Sequence, residues 1–176
     1  MRKIIKFLRG VGGIDLQNLH LDKLPDLSDV HVDCSFICGF NNLTNLVGAP
    51  KSVAFNFWCL ENNLTSLSEG PVTVGGDYIC RNNDLTSLEG APKIILNTFN
   101  CEDNKLTSLI GAPETVGYKF YCSGNDLTSL EGIPKSIGHG YRHSLGQFWI
   151  SKELKDRFPE EYIRSLSDIN GTIVYF

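Results

Sequence analysis

The sequence predicts a repeat solenoid, mainly β, with short parallel strands stacked from unit to unit. Three observations carry this expectation. Residue types recur every 21 positions: Cys38, Cys59, Cys80, Cys101 and Cys122, then Asn41, Asn62, Asn83, Asn104 and Asn125. An aromatic precedes each Cys by two (Phe36, Phe57, Tyr78, Phe99, Phe120), the alternation that sends both side chains to one side of a strand. Gly and Pro punctuate each unit after its paired leucines, with Pro50, Pro71, Pro92, Pro113 and Pro134 in register. A 21-residue unit cannot bury its own apolar face, so neighbours must stack.

The elements follow in order. Residues 1–13 read as an N-terminal cap. They hold Arg2, Lys3, Lys6 and Arg9 with no acid, and Lys6 divides Ile4-Ile5 from Phe7-Leu8, which removes the apolar stretch of an export signal. Residues 14–143 read as the solenoid, about six to seven repeats of 21–22 residues. Its first unit is degenerate: Ile14 and Leu16 take the strand positions, and Leu19 replaces the Asn. In the full units the strand is a segment such as Phe57-Trp58-Cys59, with Phe57 and Cys59 inward. Leu64 and Leu67 then fold the chain back, and Asn62 turns the corner, its amide bonding backbone groups of its own and the adjacent coil. The Val53, Val74, Ile95, Val116 and Ile137 column opens the next unit. The identical Thr44, Thr65, Thr86, Thr107 and Thr128 column reads as turn hydrogen bonding. In the second unit the order Glu69-Gly70-Pro71 shifts the Gly by one. Extending the register past the fifth unit puts Tyr141 and His143 at the strand positions of a decayed seventh repeat.

Residues 144–176 read as a C-terminal cap. Ser151 is placed to cap a helix over Lys152–Arg157, Pro159 to end it or start a second turn through Glu160–Leu166, and Thr172–Phe176 has strand composition. Phe148, Trp149, Ile150, Leu154 and Phe158 are the residues expected to plug the last repeat.

The unit reads aromatic-x-Cys-x-x-Asn-x-Leu-Thr-x-Leu, which resembles the L-x-L-x-x-N-x-L-x-x-L spacing of leucine-rich repeats. The likeness is to the short 20–22-residue bacterial class. The string NNLTSL with the following Gly, Pro and Val also looks like small repeat proteins of tailed bacteriophages and giant viruses. It covers residues 14 to about 140. The resemblance implies a parallel sheet on a concave face. It also implies a binding role, with a host defence or regulatory protein as partner if the source is viral.

Composition bounds the function classes. The chain has 176 residues, 41% hydrophobic and 20% charged, which is globular composition. No apolar run approaches the roughly 20 residues of a membrane span, so no membrane is expected as partner. A net charge of −4 opposes nucleic-acid binding. Five of the six cysteines share one inward column, where parallel Cβ directions suit disulfides poorly. Reduced thiols then point to a cytoplasmic location. Cys34-x-x-x-Cys38 lacks further metal ligands nearby, and His139-x-x-x-His143 lies in Gly-rich sequence without the one-face logic of a zinc pair. No nucleophile elbow, phosphate loop, dinucleotide fingerprint or paired-carboxylate motif is present, so an enzyme is not expected, nor a metal or cofactor.

Function is expected where the units differ, on the outward strand positions. These form three columns: Ser35, Asn56, Asp77, Thr98, Lys119; then Ile37, Trp58, Ile79, Asn100, Tyr121; then Gly39, Leu60, Arg81, Glu102, Ser123. Trp, Tyr and Arg dominate interface energetics. The expected partner-binding residues are therefore Asn56, Trp58, Leu60, Asp77, Ile79, Arg81, Asn100, Glu102, Lys119 and Tyr121, with a protein as partner. The alternatives are a self-assembling homo-oligomer using its open ends, and a protein that sequesters a small ligand in a deep pocket.

Overall fold

One β-branched or aromatic residue per coil, repeated on two sides of the chain path, organises the molecule. The computed structural model describes residues 13–140 and 145–176. They form fifteen strands, numbered here in chain order, in two wholly parallel sheets. The odd-numbered strands make an eight-stranded sheet: β1 (Ile14–Asp15), β3 (Phe36–Ile37), β5 (Phe57–Trp58), β7 (Tyr78–Ile79), β9 (Phe99–Asn100), β11 (Lys119–Tyr121), β13 (Gly146–Ile150) and β15 (Gly171–Tyr175). The even-numbered strands make a seven-stranded sheet: β2 (His31–Val32), β4 (Ser52–Val53), β6 (Thr73–Val74), β8 (Ile94–Ile95), β10 (Thr115–Val116), β12 (Ser136–Ile137) and β14 (Asp168–Ile169).

The solenoid expected from the period is present, and the second sheet is an addition to it. The column Val53, Val74, Ile95, Val116 and Ile137 does more than open a unit. Each member is the buried residue of a short strand paired with its equivalents above and below. A coil that repeats at constant length brings equivalent backbone segments to strand spacing, so the return path also satisfies its N–H and C=O groups by pairing.

Between the sheets lie the inward columns. Phe36, Phe57, Tyr78, Phe99, Phe120 and Phe148 form a continuous aromatic stack with centroid separations of 5.0 to 5.8 Å. Cys38, Cys59, Cys80, Cys101 and Cys122 are buried free thiols beside it. The Asn corner behaves as its amide chemistry requires. Asn83 Nδ2 donates to the carbonyls of Cys59 (3.1 Å), Cys80 (3.1 Å) and Arg81 (3.3 Å), and its Oδ1 accepts from Leu64 N at 2.9 Å. Asn41, Asn62, Asn104 and Asn125 repeat the arrangement. One side chain thus serves two coils, and losing it leaves buried backbone groups unpaired.

Several local expectations are corrected. The threonine column is exposed throughout. The turn bonds come mainly from the next column, where Asn45 Oδ1 and the Oγ atoms of Ser66, Ser87 and Ser129 accept the N–H two residues on at 3.0 to 3.1 Å. The β-ladder also continues past the decayed unit. Phe148 pairs with Phe120 and Ile173 with Phe148, so the strand positions there belong to Phe148 and Ile150. Tyr141 and His143 lie outside the described residues, as do residues 1–12 of the expected N-terminal cap. The extra residues between Ile137 and Gly146 hide this register from a fixed 21-residue count. The helix expected over Lys152–Arg157 is only a 3-10 turn, Lys152–Leu154. Ser151 does not cap it, because its Oγ accepts from Gly124 N at 2.9 Å. The helix Glu160–Leu166 does form directly after Pro159, and buries Ile163 against the end of the core. No helix among the described residues is long and apolar enough to cross a membrane.

Candidate functional site

Strand pairing carries the outward side chains into rows across the eight-stranded sheet. The middle row runs in register through Asp15, Ile37, Trp58, Ile79, Asn100, Tyr121, Trp149 and Val174. Side chains at strand spacing cover one another, so Ile37, Trp58, Ile79, Tyr121, Trp149 and Val174 are half-buried rather than fully exposed. Tyr121 and Trp149 rings lie 5.3 Å apart, and Trp149 is 5.7 Å from Phe176. Trp149 therefore belongs to this face and not to the plug, while Phe148, Ile150 and Phe158 are buried. Its indole N–H is held by Gln147 Oε1 at 3.1 Å.

The sequence missed Trp149 and Val174 as members of the row. The alternation Gln147-Phe148-Trp149-Ile150 was the available signal, since Phe148 and Ile150 face in and the residues between face out.

Two expected site residues are not on an accessible surface. Leu60 and Asn100 are each 9% exposed. Leu60 folds over Gly39, where an added Cβ would sit 2.9 Å from Leu60 Cδ2. Asn100 turns onto Glu102, donating to its Oε2 at 2.8 Å and accepting from its N–H at 2.9 Å. The apolar row is thereby split into an Ile37–Trp58–Ile79 stretch and a Tyr121–Trp149–Val174 stretch.

The first outward column does structural duty. Asn56 N donates to Ser35 Oγ (3.3 Å), Asp77 N to Asn56 Oδ1 (2.9 Å), and Thr98 N to Asp77 Oδ1 (3.1 Å). Asn56 and Asp77 thus tie one coil to the next before any partner is considered. Glu102 is engaged likewise, accepting from Ser123 Oγ at 2.5 Å. Arg81 is half-buried and forms no ion pair among the described residues. Lys119 lies 4.9 Å from the centre of the Tyr118 ring and 6.0 Å from that of Tyr121. Burial works against its ammonium, but Tyr121 and Tyr118 outweigh it and hold the pKa above the ordinary lysine value.

No family model matches this chain, nor does any curated protein or solved structure.

The chemistry available is that of contact. Burial pushes the thiols of Cys38, Cys59, Cys80, Cys101 and Cys122 far above the ordinary range, which leaves them protonated and inert. Cys34 is half-buried in the bend between β2 and β3, outside the inward cysteine column. Among the described residues no three of His, Cys, Asp and Glu come together as metal ligands. His139 Nε2 lies 3.2 Å from an Asp168 carboxylate, and His143 is outside the described residues. A groove of about 510 Å³ crosses the corner between the sheets, lined by Phe55, Gly75, Gly76, Leu96 and Tyr118 among others.

Proposed function

We propose that this chain is a non-catalytic protein-binding module of the leucine-rich-repeat type, and that a partner protein docks on the outer face of the eight-stranded sheet. The observation that carries this reading is the middle row. Trp58, Ile79, Tyr121 and Trp149 occupy positions where the coil requires no particular side chain, yet they line up in register on one sheet. Aromatic anchors beside polar Arg81 and Lys119 have the composition of an interface core with its rim. The Asn corner and the paired leucines support the repeat type. The phage-like character of the units favours a host protein as the partner, held by steric blockade.

The test is capture of the partner from lysate by the full chain, compared with Trp58→Ala and Tyr121→Ala/Trp149→Ala. Variants that melt like the wild type but lose the captured band place the partner on this row. Equal capture by wild type and both variants removes this face from consideration. Loss of about 2 kcal/mol in affinity is expected for either anchor if it is a hot spot.

A further inference from the structure

One edge of β15, the last strand of the eight-stranded sheet, pairs with no strand among the described residues. Its inner side is committed to β13: Gly146 N donates to Asn170 O (2.7 Å), Phe176 N to Ile150 O (3.0 Å), and Lys152 N to Phe176 O (2.9 Å). Backbone groups alternate along a strand, so the N–H and C=O of Ile173 and Tyr175 face the open side, where no strand pairs with them among the described residues. Gly171 O also faces that side, but Arg164 of the preceding helix takes it at 2.8 Å. The free edge therefore begins after Gly171.

Exposed edges are ordinarily blunted by charge, proline or a bulge. Thr172-Ile173-Val174-Tyr175-Phe176 carries none of these, and β15 is, with β13, the longest strand in the sheet. Beneath the edge lies a crevice of about 480 Å³ lined by Lys155, Asp156, Pro159, Glu160, Ile173 and Tyr175.

We propose that this edge pairs with the same edge of a second copy, antiparallel, about a two-fold axis through Val174. The open groups sit at 173 and 175, symmetric about Val174, so the strand is its own complement. Ile173 then opposes Tyr175 of the second copy, and each such pair exchanges two backbone hydrogen bonds. The side chains of both residues point into the crevices beneath the joined edges. Val174 faces its own equivalent on the outer side, and the sheet continues across the axis. Arg164 sets the register, because its bond to Gly171 O stops the pairing from sliding toward the start of the strand. An isologous contact of this kind closes at two copies.

The experiment measures the mass of the full chain by sedimentation over a wide concentration range, for the wild type, Val174→Lys and Val174→Glu. Val174 is outward, so both variants keep the core. The wild type is expected to move from one chain to two as concentration rises. Each variant alone is expected to stay at one chain, because like charges meet on the axis. An equimolar mixture of the two is expected to regain two chains. Amide exchange of the wild type supplies a readout that needs no variant: protection at Ile173 and Tyr175 is expected to rise with concentration. A wild type that remains one chain, a series of ever larger species, or two chains with Ile173 and Tyr175 unprotected would each overturn the proposal.

Discussion

Tyr78 and Glu69 depart from their columns, each at a measurable cost. Tyr78 stands where the other coils carry Phe. Its hydroxyl is fully buried without a hydrogen-bond partner among the described residues. Gly70 stands where other coils carry Ala or Ile. A Cβ there would lie 3.3 Å from the Tyr78 hydroxyl and 2.9 Å from Leu67 O, so the missing side chain gives the hydroxyl room. A buried hydroxyl without a partner costs about 1–3 kcal/mol. Tyr78→Phe is therefore expected to stabilise the chain by up to that amount in urea denaturation, and a destabilised variant would count against the assignment. Glu69 is the second departure. It adopts φ +65°, in the slot where Gly48, Gly90, Gly111 and Gly132 have φ between +87° and +95°. A side chain in the left-handed region costs roughly 1 kcal/mol relative to glycine. Glu69→Gly is expected to raise the melting midpoint, and an unchanged midpoint would show that the turn relaxes around Glu69.

The columns act as elements, and their energetics are those of repetition. Each buried thiol has a folded pKa raised above its unfolded value near 8.5, because burial disfavours the thiolate. The unfolded chain then releases protons that the folded chain retains. Stability is complete below that value and falls as pH rises above it, by roughly 1–1.5 kcal/mol per pH unit for each thiol. Urea midpoints between pH 7 and pH 10 are expected to show this decline, and Cys101→Ala to make it shallower. A flat profile would mean that the thiols are not buried as a column. Cys80→Arg places an unpaired charge in the same column and is expected to abolish folding, read as loss of the cooperative transition. The columns were legible because a period of 21 and an alternation of two both survive in the sequence. The turn bonding was misplaced by one residue, from Thr65 to Ser66, because both side chains suit an ST turn and only the backbone path distinguishes them.

At the scale of the molecule, each coil contacts chiefly its neighbours, so stability is close to a sum of coil and interface contributions. Deleting residues 83–103 joins Asn82 to Asn104 and restores the same register one coil shorter. That variant is expected to fold with an unchanged sheet signature in circular dichroism and a smaller denaturant slope. Deleting ten residues instead misplaces every inward column and is expected to yield no cooperative transition. The two ends are not equivalent: at one, the helix Glu160–Leu166 buries Ile163 while β15 extends one strand beyond the seven-stranded sheet.

The period, the inward columns and the corner asparagines follow from amino-acid order, because each depends on spacing within one unit repeated down the chain. The tertiary structure alone decided which outward residues remain available. Exposure depends on side chains one coil, 21 positions, away: Leu60 covers Gly39, and Asp77 serves the next coil. It also decided the second sheet, which arises only when return segments of adjacent coils meet, and the outward place of Trp149, which the extra residues before Gly146 had removed from the count.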